Sequence, residues 1–232
     1  MSEILLERFG GLGIVTLNRP QSLNTLSLSM YRRFDPALRD WQADPVIAAI
    51  LVRGAGDRAF CAGGDVVAVY EARAEALDAG GYKADFFREE YRLIRRIHRM
   101  RTPYVALMDG VTMGGGAGVA VNGRFRVATE RTMFAMPEVH IGLFPDVGAT
   151  RFLKRAPGRI GLYLALTGMR LGPSDTFACG FATHVVPHDR LSELTAAIAI
   201  AATPSDAALD VERALARFAA VPGAPSLPAL QP

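Results

Sequence analysis

Two carboxylates, Glu138 in FAMPE and Asp146 in LFPDV, stand among Phe, Met, Leu and Val, downstream of the glycine run Gly114, Gly115 and Gly116. A carboxylate in apolar company must be paired, protonated or used. The glycines follow an apolar run, Val105 to Met108, that reads as a short buried strand, and Ala117 to Val121 can open a helix with almost no side chain at its start. Strand, glycine turn, helix is an order that leaves backbone N–H groups free at the positive end of a helix dipole. Such a turn holds an oxygen carrying negative charge. The same logic recurs at Phe60 to Asp65, where CAGGD leads into a helix-like run, VVAVYEARAEAL. Two such turns can aim two N–H groups at one carbonyl oxygen, which is an oxyanion hole. A third carboxylate, Glu90, falls inside the stripe Phe86, Leu93, Ile97, whereas Glu89 turns to the polar side with Asp85, Arg92 and Arg96. For Glu90 a buried ion pair with a neighbouring arginine competes with a functional role. The combination suits acyl chemistry.

Other chemistries fit poorly. A dinucleotide fingerprint fails because the sixth position from Gly114 is Val119 and from Gly116 is Val121, and no G-K-[ST] follows. No serine has the G-x-S-x-G setting of a nucleophile elbow. Cys61 lies at a turn with no obvious base nearby and reads as packing. His184 and His188 flank Val-Val-Pro, an extended segment that separates them by roughly 13 Å, too far to share one ion. No metal is expected. His140, close to Glu138, reads as structural. The basic run Arg92, Arg95, Arg96, Arg99 and Arg101 lies on one amphipathic helix with few aromatics, so a solvated face is expected rather than a nucleic-acid surface.

The elements that must position these residues alternate between strands and helices, an α/β architecture. Ile4 to Phe9 and Ile14 to Leu17 read as a hairpin. Ser27 or Ser29 caps a helix through Trp41, irregular at Pro36, and Val46 to Val52 is an apolar strand. Residues 84–101 are the clearest helix, and Arg159 to Thr167 has a helical pattern. LGPSDTFACGFATHVV reads as turn, short helix and strand, and Leu194 to Ala202 as a helix. Ser205 can cap a last helix whose Val211, Leu215 and Phe218 share a face, and PGAPSLPALQP should be extended or disordered. The chain has 232 residues, half of them hydrophobic and 21% charged, ordinary for a soluble domain. Its net charge of +3 suits an anionic ligand. Two cysteines, Cys61 and Cys179, form no framework and suggest a reducing compartment. No signal peptide is visible at MSEILLERFGG and no membrane span is expected, so the chain reads as cytoplasmic.

The segments AFCAGGD (59–65), FFREEY (86–91), GVTMGGGAGV (110–119) and FAMPEVHIGLFPDVGATRFL (134–153) resemble the crotonase superfamily of acyl-CoA enzymes, and within it the 3-hydroxyisobutyryl-CoA hydrolase branch. The resemblance runs from about Gly13 to about Pro204. It implies a spiral of ββα turns over residues 1–204; beyond it the residue pattern gives a C-terminal helix at 205–220 and a proline-rich tail at 221–232. The resemblance also implies an acyl-CoA substrate, with CoA part of that substrate and no separate cofactor, and it is compatible with a homo-oligomer. Carried over by motif, the oxyanion donors fall at Gly64 and Gly115. Hydratases of the superfamily pair a glutamate just after the glycine triplet with the glutamate of the PE motif. The first position is Gly118 here and the second is Glu138. The hydrolase branch instead shows a glycine at the first place, an aspartate matching Asp146 and a glutamate matching Glu90. The implied roles are Glu138 as nucleophile or general base, Asp146 orienting water or the substrate hydroxyl, and Glu90 binding the hydroxyacyl end. The implied reaction is release of CoA and a small 3-hydroxy acid, a step of valine degradation. The alternatives are an enoyl-CoA hydratase or isomerase using Glu138 alone, which Gly118 argues against, and an inactive acyl-CoA-binding or assembly module. Members of the branch normally continue into a further helical segment, so pocket closure, assembly and activity are expected to depend on it.

Overall fold

The computed structural model describes residues 2–72, 81–203 and 206–227. A hairpin of β1 (Ile4–Phe9) and β2 (Leu12–Leu17) opens the chain, followed by α1 (Leu28–Ala43). Ser27, not Ser29, is the N-cap of α1, its hydroxyl accepting from the Met30 N–H at 3.2 Å, and the helix runs through Pro36. Next come β3 (Ala49–Gly54), β4 (Ala59–Cys61), α2 (Val66–Glu71) and α3 (Tyr82–Arg99). β3 begins later than expected because Val46 is exposed in the turn before it. The sequence expectation of a helix reaching Leu77 falls partly on residues 73–80, outside the described residues.

The centre of the chain follows as β5 (Tyr104–Met108), β6 (Val111–Met113), α4 (Gly115–Val121), β7 (Phe125–Ala128) and β8 (Met133–Ala135). Then come α5 (Ala149–Phe152), α6 (Ile160–Thr167), α7 (Pro173–Ala178), β9 (His184–Val185), α8 (Leu191–Ala201) and α9 (Ala207–Phe218). Ser205, read as the cap of α9, lies outside the described residues.

Successive strands are dealt alternately to two sheets. The larger has the order β1-β2-β3-β5-β7-β9, parallel after the first hairpin; the smaller is β4-β6-β8, all parallel. Each of β3–β4, β5–β6 and β7–β8 therefore adds one strand to each sheet, and after the first two pairs the chain returns through a helix. This is the expected spiral of ββα turns. The three-stranded sheet was not foreseen. Its members span three residues each, too short to show a period, and β6 separates Met108 from the glycines.

Both faces of the large sheet are buried, which is why its central strands are unbroken apolar runs. Ile50, Val52, Ala106 and Met108 join one core with α1, α3 and α4. Ala49, Leu51, Val105 and Leu107, one residue out of phase, join a second core with α8 and α9. Each such side chain contributes roughly 1.5–3 kcal/mol when fully buried. Val211 and Leu215 of α9 are fully buried, so the last helix closes the second core rather than standing apart. The proline-rich segment has no regular secondary structure and is tied down as far as Leu227. Ala220 donates to the Val185 carbonyl at 2.8 Å, and the N–H groups of Ser226 and Leu227 donate to Asp175 Oδ1 at 2.8 and 3.1 Å.

Candidate active site

The turn carrying Gly64 is pinned from one side. Leu26 donates to the Gly63 carbonyl at 2.8 Å and accepts from the Asp65 N–H at 2.9 Å. The residue between must then present its own N–H to the opposite side, as successive residues of an extended chain do. Fully buried Asn24 holds the Leu26 loop in place, donating to the carbonyls of Ala55 and Ala59 at 2.9 and 2.8 Å. Gly115 is the first residue of α4, so its N–H is one of the donors that no helix can satisfy internally. Among the described residues neither N–H has an acceptor. The two turns lie against each other: a Cβ on Gly115 would come within 3.1 Å of the Gly64 nitrogen and 2.6 Å of Glu90 Oε1. Any side chain at 115 would fill the space between two free donors and a carboxylate. Gly114 before it has φ +52° and ψ −125°, a conformation for glycine alone.

The carboxylates come from three directions. Glu90 projects from the buried face of α3 and is only 3% exposed. Among the described residues no arginine pairs with it; Arg96 turns instead to Asp35 on the buried face of α1. Its partner is the buried phenol of Tyr31, which donates to Oε1 at 2.6 Å. Burial pushes the Glu90 carboxyl up to about 8, opposed by the Tyr31 hydrogen bond and assisted by Asp146 and Glu138. Glu138 opens a single 3-10 turn, Glu138–Ile141, directly after β8. Burial raises its carboxyl to about 7, with Asp146 adding to the rise, and its buried Oε2 has no hydrogen-bond partner among the described residues. Asp146 arrives on the loop before α5, raised by burial and held by Tyr91, whose hydroxyl donates to Oδ2 at 2.8 Å.

All five residues singled out in the sequence, Gly64, Glu90, Gly115, Glu138 and Asp146, line one cavity of about 240 Å³. Phe86, Phe87, Val66, Val69, Ile141 and Leu143 supply its apolar wall. His140 also lines it, with its Nε2 3.0 Å from the Thr167 carbonyl, and Cys61 is a buried thiol pushed up to about 12 by burial. Sequence reasoning missed two participants. Tyr91 was visible as the last residue of FFREEY; Tyr31 gives no local signal, since only packing of α1 on α3 brings it to Glu90.

Gly118 carries a further geometric fact. A Cβ there would lie 2.5 Å from the Val147 Cβ and 2.7 Å from its Cγ2. Val147 is buried at φ +42°, an outlier for a β-branched residue, and its carbonyl accepts from Asn122 Nδ2 at 3.0 Å. The same amide donates to the Gly118 carbonyl at 2.9 Å. The residue after Asp146 thus occupies the room a side chain at 118 would need.

Comparison with known proteins places this geometry. A family model for enoyl-CoA hydratase/isomerase matches residues 12–231. The chain belongs to the enoyl-CoA hydratase/isomerase family. Its fold is the crotonase fold. The chain is 50% identical over 204 residues to the mitochondrial 3-hydroxyisobutyryl-CoA hydrolase of Rattus norvegicus, covering 88% of this chain and 52% of that protein. Against the Homo sapiens protein of the same name it is 48% identical over 203 residues, with the same coverage. The chain spans about half the length of the curated relatives it matches. Among solved structures of the family, a carnitinyl-CoA dehydratase from Mycobacterium thermoresistibile superposes with TM-score 0.87 at 44% identity, covering 97% of this chain and 63% of that one. An enoyl-CoA hydratase from Rhodobacter sphaeroides gives 0.80 at 42%, covering 85% and 58%.

Proposed function

We propose that this cavity hydrolyses the thioester of a short 3-hydroxyacyl-CoA, taking 3-hydroxyisobutyryl-CoA and water to 3-hydroxyisobutyrate and CoA, as in valine degradation. The observation that carries the reading is Glu138 Oε2, a buried carboxylate oxygen without a partner in the wall that also presents two free N–H groups. Attack on the thioester carbon moves charge onto the carbonyl oxygen. The N–H groups of Gly64 and Gly115 would receive it, and one such donor is worth about 3–4 kcal/mol in other enzymes. Glu138 acts in one of two ways. As nucleophile it forms an anhydride while the C–S bond breaks and the thiolate leaves, and water then opens the anhydride. As base it takes a proton from water that attacks directly. In both, Asp146 orients water or the substrate hydroxyl, and Glu90, held by Tyr31, binds the hydroxyacyl end.

The names of the hydrolase relatives support this reading; those of the dehydratase and the hydratase favour hydration chemistry instead. A hydratase with paired glutamates needs a carboxylate at 118, where Val147 leaves no room. The ligand is an acyl-CoA, and no separate cofactor is called for. Among the described residues no helix is long and apolar enough to cross a membrane. Both cysteines are buried free thiols, which suits a reducing compartment; the cytoplasm is one, and the named relatives are mitochondrial. The test is free-thiol release from 3-hydroxyisobutyryl-CoA beside hydration of crotonyl-CoA on one preparation. Thiol release without hydration is expected; hydration alone overturns the reading.

A further inference from the structure

Asp146 differs from the other two carboxylates in where it comes from. Glu90 is fixed by a long helix and Glu138 by the turn that ends β8, but Asp146 stands on a loop between two short elements. Among the described residues its one side-chain partner is Tyr91 Oη, at 2.8 Å from Oδ2. The backbone behind it is unusual: Val147 at φ +42° and Gly148 at φ +85°, with the Val147 carbonyl and the Gly118 carbonyl bridged by Asn122 Nδ2. The Tyr91 ring packs on Phe87, centroids 5.9 Å apart, and Phe87 lines the cavity. Its other side borders a second groove with Ile94, Arg95, His98, Arg99 and Arg151. The tyrosine thus lines a basic groove while bonding to a carboxylate of the acidic cavity.

We propose that Tyr91 is the positioning residue of Asp146, its phenol turning the carboxylate while Asn122 holds the strained backbone that delivers it. This rests on the thioester-hydrolase reading above and deepens it. A free carboxylate on a loop samples two χ angles; one short hydrogen bond to a ring held by packing selects a single orientation and leaves the remaining lone pairs for water or the substrate hydroxyl. Burial and Asp146 together push the phenol well above its ordinary range, so Tyr91 keeps its proton and donates it to the carboxylate in a hydrogen bond. The groups facing Asp146 are Glu90 and Tyr91 from α3 and Glu138 and His140 from the turn after β8, with Arg95, His98, Arg99 and Arg151 on the outer side of the ring. The loss of a side chain at 118 and the gain of a working aspartate at 146 become one structural event: Val147 fills the space, and Tyr91 and Asn122 hold the loop that results.

The test compares Tyr91→Phe, Asp146→Asn and the double variant for thiol release across pH. Tyr91→Phe is expected to lower kcat on the order of tenfold with KM little changed, the worth of one hydrogen bond to a charged group. It should also move the Asp146 ionisation to higher pH, because the bond that favours the carboxylate is gone. In the Asp146→Asn background the same change should do nothing more. Tyr91 is 43% exposed, so removal of its hydroxyl is not expected to unfold the chain; Asn122→Ala, which loosens the loop from its other side, should lower kcat in the same direction. Unchanged kcat and pH profile in Tyr91→Phe, with Asp146→Asn impaired, overturns the inference and leaves the reading standing. Full activity in Asp146→Asn and in Glu138→Gln overturns the reading itself.

Discussion

Four carboxylates are buried among the described residues, and they divide by place. Asp35, on the buried face of α1, takes the Arg96 guanidinium of α3, and Asp175, in α7, receives the Ser226 and Leu227 N–H groups and the Ser226 hydroxyl. Each of these is satisfied by donors from a distant part of the chain and so fastens two elements together. Glu90 and Glu138, in the cavity, have one phenol and one orphaned oxygen between them and no cation. The same chemical group is a fastener where its lone pairs are filled and, on the proposed reading, a reagent where they are left open. The difference lies in what the fold brings to meet each carboxylate.

Substitutions should break that division cleanly. Glu138→Gln is expected to cut thiol release by about a thousandfold, within the range for a positioned acid–base group, with no loss of thermal stability. Asp35→Ala should do the reverse: it strands Arg96, costs about 2–3 kcal/mol in denaturant unfolding and leaves kcat nearly unchanged. A glutamate at Gly118 tests the coupling between the regions. Its Cβ meets Val147, so an overpacking cost of about 1–3 kcal/mol is expected, with hydrolysis reduced and no hydration of crotonyl-CoA gained.

Glu90 sharpens the comparison through pH. Its folded carboxyl is raised from 4.5 to about 8, so between those values the folded chain holds a proton that the unfolded chain releases. Stability from this group is complete below about 4.5 and is lost as pH rises toward 8, on the order of a few kcal/mol. Glu90→Gln should flatten that decline and raise Tm at pH 8 on the order of 5 °C while weakening substrate binding. Differential scanning calorimetry from pH 5 to 8 checks it; a parallel decline in both proteins would move the burden to another group. The smallest effect is expected from Val147→Gly, which removes the φ strain and the plug together. Stability should change by less than about 1 kcal/mol while kcat falls.

Much of this was readable before any coordinates. Apolar context marks Glu90, Glu138 and Asp146, and the glycine runs mark two turns, within which the family resemblance implies Gly64 and Gly115; the cavity gathers all five. The long helices were legible because a 3.6-residue period runs for many turns in α1 and α3. The second sheet was not, since three residues carry no period. Tyr31 at Glu90, Arg96 at Asp35 and Ser226 at Asp175 join residues 50 or more positions apart. Such pairings are set by packing, which no local pattern encodes. The strain at Val147 was equally hidden, for valine has no turn signature; its cause lies at Gly118, in another element.

The most direct measurement is the pH dependence of thiol release from 3-hydroxyisobutyryl-CoA. Glu138 must be ionised to attack or to take a proton, and burial has raised it to about 7. The rate should therefore climb through an ionisation near 7, and that limb should vanish, with the rate, in Glu138→Gln. A rate already full at pH 5 would contradict the central claim, because the orphaned carboxylate would then not be the group that works.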